Sequence, residues 1–127
     1  KVASVRNPIE SYISLLDNGW LHFEPSSFDE YCKRYLSFIN NFDKKQIVKY
    51  ENFVLDPINT MKYICRLLEL SFNESFIDIY DTFQITGDSG RKSSSISSRE
   101  KKTIPRNLAQ QINNSKNYVS LCELLAY

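Results

Sequence analysis

The sequence predicts an α/β domain in which helix dominates and about two strands pair in parallel, with helices on their flanks. Three observations predict it. Val2-Ala3-Ser4-Val5 is a short apolar run that ends at Arg6-Asn7-Pro8, a strand-to-helix junction. Ile47-Val48-Lys49-Tyr50 repeats that design, with Asp56-Pro57 and a second helical period behind it. Elsewhere apolar residues recur at three- and four-residue spacing, the mark of amphipathic helix. Strands that lead directly into helices normally lie side by side in a parallel sheet.

Residues 2–5 form the first strand, and Pro8 suits the first turn of the next helix because that position needs no amide hydrogen. This helix runs to about residue 16. Asp17-Asn18-Gly19 closes it, with Gly19 free to take the positive φ of a C-cap, and residues 20–25 form a loop. Ser27 with Glu30 reads as a capping box, after which Tyr31, Cys32, Tyr35, Leu36 and Ile39 repeat at helical spacing to about residue 41. Residues 46–50 form the second strand, with Ile47 and Val48 buried. Asp56-Pro57 then caps a helix with the stripe Ile58, Met61, Ile64, Cys65 and Leu68. Asn73-Glu74 opens a further expected helix carrying Phe76, Ile77, Tyr80 and Phe83, and residues 108–125 suit one or two terminal helices. Two strands fall short of the usual sheet of about five or six. The remaining strands are expected from an amino-terminal portion or a partner chain.

Length and composition narrow the class. The chain of 127 residues suits one domain at most, and eight Tyr with eight Phe supply a core too aromatic for a disordered tail. A net charge of +1 argues against a general nucleic-acid binder, which needs a surplus of Lys and Arg. Cys32, Cys65 and Cys122 lack metal-ligand spacing and read as reduced, partly buried thiols, so a cytoplasmic setting is expected. No apolar run approaches the roughly 20 residues of a membrane span. Two Asn-X-Ser sequons, at Asn73 and Asn113, are short enough to arise by chance, and a Golgi lumen, reached through an upstream anchor, is the alternative setting.

The chemistry-bearing residues point to an anion. Arg6 stands at the carboxyl end of a strand, where open α/β sheets bind ligands, and Ser14 lies about two helical turns beyond the junction. The guanidinium and the hydroxyl of this one unit can grip a single phosphate. The competing reading pairs Arg6 with a nearby carboxylate. Residues 87–106 carry a second signal: Arg91, Lys92, Arg99, Lys101, Lys102 and Arg106 stand among serines, against only Asp88 and Glu100. Gly87 and Gly90 permit turns that aim amide hydrogens at an anion, with Arg91 or Lys92 supplying charge. A ligand-free basic surface loop explains the same composition. Tyr50 reads either as a packed aromatic or as a platform for a base.

These segments together resemble the sulfotransferases that use 3′-phosphoadenosine 5′-phosphosulfate. The stretch from Arg6 to Ser14 is similar to that family's 3′-phosphate segment, residues 47–57 to its strand, Tyr-Glu and helix unit, and residues 85–93 to the Gly- and Arg-containing loop over the nucleotide. The resemblance implies a P-loop NTPase-like parallel sheet with flanking helices, of which residues 1–127 would be the carboxyl-terminal part of a single domain. It further implies that Arg6, Ser14 and Arg91 hold the 3′-phosphate, with Lys92 in the same cofactor site, while Tyr50 lies along adenine. Whether Arg91, Lys92 or Ser93 touches the phosphate is left open, because Gly-Asp-Ser-Gly-Arg stands where better-studied relatives have Arg-Lys-Gly. Trp20, His22 and Phe23 would lie toward the acceptor. The implied partners are the nucleotide co-substrate and a hydroxyl or amine acceptor, with no metal and no nucleic acid.

The resemblance lacks two of the family's parts. The Lys-containing phosphosulfate loop and a catalytic His ahead of Arg6 do not occur here, and the only histidine, His22, follows Arg6. No catalytic residue is therefore assigned, and pairing with a missing amino-terminal half is one way the enzyme would be completed. A non-catalytic nucleotide-binding module, a helical interaction protein and an excerpt of a small P-loop kinase are the alternatives. The isolated chain is expected to give no appreciable turnover. A measurable rate of sulfate transfer from the activated donor would overturn that expectation.

Overall fold

A computed structural model describes residues 1–80, 95–98 and 100–127. Strand β1 (Ala3–Val5) leads into α1 (Pro8–Asp17), which starts as the sequence requires: Pro8 occupies the first turn, and the Asn7 side chain accepts from the amides of Ile9 and Glu10. Gly19 takes a φ of +65° just past the helix end. Helix α2 (Phe28–Ile39) is capped by the Ser27 hydroxyl, which accepts from the Glu30 amide at 3.2 Å. The Glu30 carboxylate instead pairs with Arg34 at 2.9 Å and Lys33 at 3.6 Å.

A short 3-10 turn (Lys44–Gln46) feeds strand β2 (Ile47–Lys49), and β2 pairs with β1 in parallel. The register sets Ala3 against Ile47, Ser4 against Val48 and Val5 against Lys49. Tyr50 does not end the strand; it opens a helix, α3 (Tyr50–Leu55), which the sequence pattern hides because six residues are too few to show a period. Helix α4 (Pro57–Leu67) follows at once, capped by Asp56, whose carboxylate accepts from the Asn59 amide at 3.1 Å. The helix expected from Asn73 is a single 3-10 turn (Glu74–Phe76), held by Asn73 Oδ1 on the Ser75 amide. Phe83 of that expectation lies outside the described residues. The terminal segment divides into α5 (Arg106–Asn114) and α6 (Lys116–Leu125), because Ser115 leaves the helical conformation and caps α6 through the Tyr118 amide.

The observed architecture is thus helix-dominated with one small parallel sheet, consistent with part of an α/β domain. Its core lies on one side. Val5, Tyr12, Ile13, Phe28, Cys32 and Ile39 pack with Leu108, Leu121 and Leu125, so α1, α2, α5 and α6 share one apolar interior beneath β1. Burying each large side chain here contributes roughly 1.5–3 kcal/mol. Tyr12, Phe28 and Tyr31 form the aromatic centre, with ring centroids 5.2 to 6.4 Å apart, and Tyr118 of α6 meets Phe28 at 5.3 Å. By contrast, α4 has no fully buried residue. It is tied to the sheet side by the Tyr63 hydroxyl, which donates to the Lys45 carbonyl at 2.6 Å.

The three cysteines are free, with Cys32 buried and Cys65 and Cys122 half-buried. Burial pushes the Cys32 thiol up to about 12, with nearby Asp29 adding to the rise, so it is protonated and unreactive at neutral pH. Among the described residues no helix is long and apolar enough to cross a membrane.

Asp29 joins α2 to α6. One carboxylate oxygen accepts from the Ser115 hydroxyl at 2.5 Å and the Asn117 amide at 3.4 Å, while the other takes the Asn117 side-chain amide at 2.8 Å. The Ser115 bond is the main cause that holds the Asp29 carboxyl below its ordinary range, against a partial cost of burial. A depressed folded value means that the stabilisation is complete above the unfolded pKa of roughly 3.9 and is lost as pH falls through the folded value. Asp29→Asn should therefore lower stability at pH 7 and flatten the loss of stability below pH 4. Urea unfolding at both pH values tests this, and an unchanged acid dependence would contradict it.

Candidate functional site

The register of the sheet builds the site. Because Val5 lies beside Lys49, the residues that follow the two strands, Arg6 and Tyr50, emerge side by side at the carboxyl edge, and the Asn7 amide reaches Glu51. The Arg6 guanidinium sits over the Tyr50 ring, 5.1 Å from its centroid, a cation–π contact. Its Nη2 also donates to Glu10 Oε2 at 3.4 Å. Both side chains of that ion pair are largely withdrawn from water, at 22% and 17% exposed.

The backbone under Arg6 is held from two sides. The Tyr35 hydroxyl accepts from the Arg6 amide and donates to the Arg6 carbonyl, each at 3.0 Å, so one side chain satisfies both polar groups of the residue after the strand. From the other side, Glu51 Oε1 accepts from the Asn7 amide at 2.9 Å and Oε2 from the Tyr127 hydroxyl at 2.8 Å. Lys49 Nζ donates to the Ala126 carbonyl at 2.8 Å and lies over the Tyr127 ring at 4.4 Å. Burial raises the pKa of Tyr35, with the Glu51 charge adding to the rise and the bond to Arg6 opposing it. Burial first, then the bond to Glu51, raises that of Tyr127. Both hydroxyls therefore stay protonated and able to donate.

Of the residues singled out in the sequence, Arg6 and Tyr50 come into direct contact. Ser14 is half-buried on α1, and its position four residues beyond Glu10 places the two on one face of the helix. Ser14 therefore stands one turn past the carboxylate that Arg6 grips. Arg91, Lys92, Gly87 and Gly90 lie outside the described residues. The described end of that basic segment is anchored: Lys102 pairs with Asp17 at the end of α1. In the loop expected to face an acceptor, Phe23 stacks on Tyr31 and beneath Arg34, so it belongs to the packing; His22 and Trp20 are exposed.

Glu10 supplies the carboxylate of the competing reading, in which Arg6 pairs with a nearby acid, whereas Glu51 and Tyr35 were not expected at the site. Glu10 has a sequence signal, since an acid four residues after an arginine can pair with it. Glu51 was visible only as the neighbour of Tyr50, and Tyr35 only as one more apolar-stripe aromatic; their roles depend on residues 29 to 76 positions away. Two cavities of about 270 and 280 Å³ lie elsewhere. One lies between β2 and the α3–α4 pair and the other between the start of α2 and the end of α5; neither is lined by Arg6, Ser14 or Tyr50. Among the described residues no cluster of His, Cys, Asp or Glu is arranged to hold a metal ion.

Comparisons of the chain with protein-family models, curated proteins and solved structures find no match. Tyr35→Phe removes both hydrogen bonds to Arg6 and leaves a part-buried amide and carbonyl unpaired, so it should cost about 1–3 kcal/mol of stability. Chemical denaturation checks this, and a loss below about 0.5 kcal/mol would mean that Tyr35 serves only as packing.

Proposed function

We propose that this chain holds the adenosine 3′-phosphate end of 3′-phosphoadenosine 5′-phosphosulfate, as the cofactor-binding portion of a sulfotransferase-like domain with a P-loop NTPase-like sheet. The observation that carries the reading is the contact of Arg6 with Tyr50 at the carboxyl ends of two parallel strands, 44 residues apart in the chain. A cation and an aromatic plane at that edge suit a phosphate next to a purine, which is where open parallel sheets take nucleotides. Arg6 would fork onto the 3′-phosphate with the Ser14 hydroxyl as a further donor, and Tyr50 would lie along adenine. Arg91 and Lys92 would complete the anion site from the basic segment.

The 3′-phosphate does not react. In sulfuryl transfer an acceptor hydroxyl or amine attacks sulfur, the new bond to sulfur forms, and the bridging oxygen leaves with the adenosine bisphosphate while the acceptor gives up its proton. Binding energy gathered at the remote phosphate orients the reacting sulfur. No residue described here is assigned to the chemical step itself. A helical interaction module is the second reading, favoured by exposed Leu55 (83%), Leu70 (60%) and Ile79 (43%) on and after α3 and α4.

Calorimetric titration with adenosine 3′,5′-bisphosphate separates these. Binding is expected, with adenosine 5′-monophosphate at least about tenfold weaker because it lacks the group Arg6 holds. Arg6→Ala should weaken the bisphosphate about tenfold or more while the thermal unfolding transition is kept. Equal affinity for the two nucleotides, or indifference to Arg6→Ala, would rule the reading out, and a parent chain that binds neither would favour the interaction module.

A further inference from the structure

We propose that Glu10 is a built-in counter-anion of this site: it occupies the Arg6 guanidinium in the free protein and opposes phosphate there, and so sets the affinity of the site. This deepens the proposed function and rests on Arg6 being a phosphate ligand. Arg6 Nη2 meets Glu10 Oε2 at 3.4 Å, and both side chains are largely withdrawn from water. Glu10 cannot be carried away by backbone movement without undoing the helix start, because its amide is bonded to Asn7 Oδ1 at 3.3 Å. It shares a helix face with Ser14, one turn on. An anion held between Arg6 and Ser14 must therefore come to rest beside this carboxylate.

The local charges make the consequence specific. Among the described residues, Arg6 and Lys49 are the cations beside the strand ends and Glu10 and Glu51 the carboxylates, with Arg6 paired to Glu10. Lys49 is engaged with the Ala126 carbonyl and the Tyr127 ring, and both Glu51 oxygens are taken by Asn7 and Tyr127. Glu10 is the carboxylate whose removal releases Arg6. Losing its charge at this partly dehydrated spot relieves a like-charge contact with an incoming phosphate, where Coulomb interactions are weakly screened. A role confined to helix stability, from an acid in the first turn of α1, predicts a change in melting and none in ligand affinity.

The test compares the parent chain, Glu10→Gln and Glu69→Gln by calorimetric titration with adenosine 3′,5′-bisphosphate at low salt. Glu69 is exposed just past α4 and serves to report the bare change in net charge. Glu10→Gln should bind at least about fivefold tighter than the parent, and Glu69→Gln within about twofold of it. Equal or weaker binding by Glu10→Gln, or the same gain in Glu69→Gln, overturns the proposal. If the parent binds and Arg6→Ala abolishes it while Glu10→Gln brings no gain, the counter-anion role alone fails. If neither the parent nor a folded Glu10→Gln binds, the phosphate site fails with it.

Discussion

Pairing of Val5 with Lys49 is the constraint on which the carboxyl edge of this molecule depends. In a parallel ladder the two chains advance together, so whatever follows Val5 stands level with whatever follows Lys49. That is how Arg6 meets Tyr50 and how the Asn7 amide reaches Glu51. A slip of one residue would turn every side chain of one strand to the other face and separate these partners. Three residues per strand are a weak specification of register by themselves. The bonds of Tyr35 to Arg6 and of Glu51 to Asn7 fix it from outside the ladder.

A common device runs through the fold. Where two helices or a strand and a helix must be joined at a fixed angle, one carboxylate collects the otherwise unpaired donors. Asp29 does this for the start of α6 through Ser115 and Asn117, and Glu51 does it for the start of α1 and for Tyr127. Each satisfies amide hydrogens that a helix start leaves without partners. Glu10 differs in that its carboxylate meets a full positive charge, that of Arg6, which also lies over the Tyr50 ring.

The two faces of the sheet are unequal. On the side of α1, α2 and α6 the apolar interior is closed, whereas α4 leaves its stripe half-covered, with Leu68 37% exposed and Cys65 only half-buried. Parallel sheets are ordinarily covered on both faces and seldom stop at two strands. Among the described residues neither strand has a second strand as neighbour. The helix α4 nevertheless keeps its place, because Tyr63 bonds to Lys45 and Thr60 to Asn52.

The sequence by itself determined the local features. Pro8 and Pro57 after capping Asn7 and Asp56 started two helices, Gly19 ended one, Ser27 started another, and the apolar spacing of α2 marked its buried face. These are short-range effects, legible because each depends on residues within one or two turns. Arg6 and Tyr50 were also visible as residue types in a pattern. Only the tertiary structure decided that they touch, that Glu10 shares Arg6, and that Tyr35 and Glu51 hold the turn beneath. It likewise reduced the helix expected at Asn73 to one turn and made Tyr50 open a helix. Those outcomes depend on contacts between distant segments, and no local propensity encodes them.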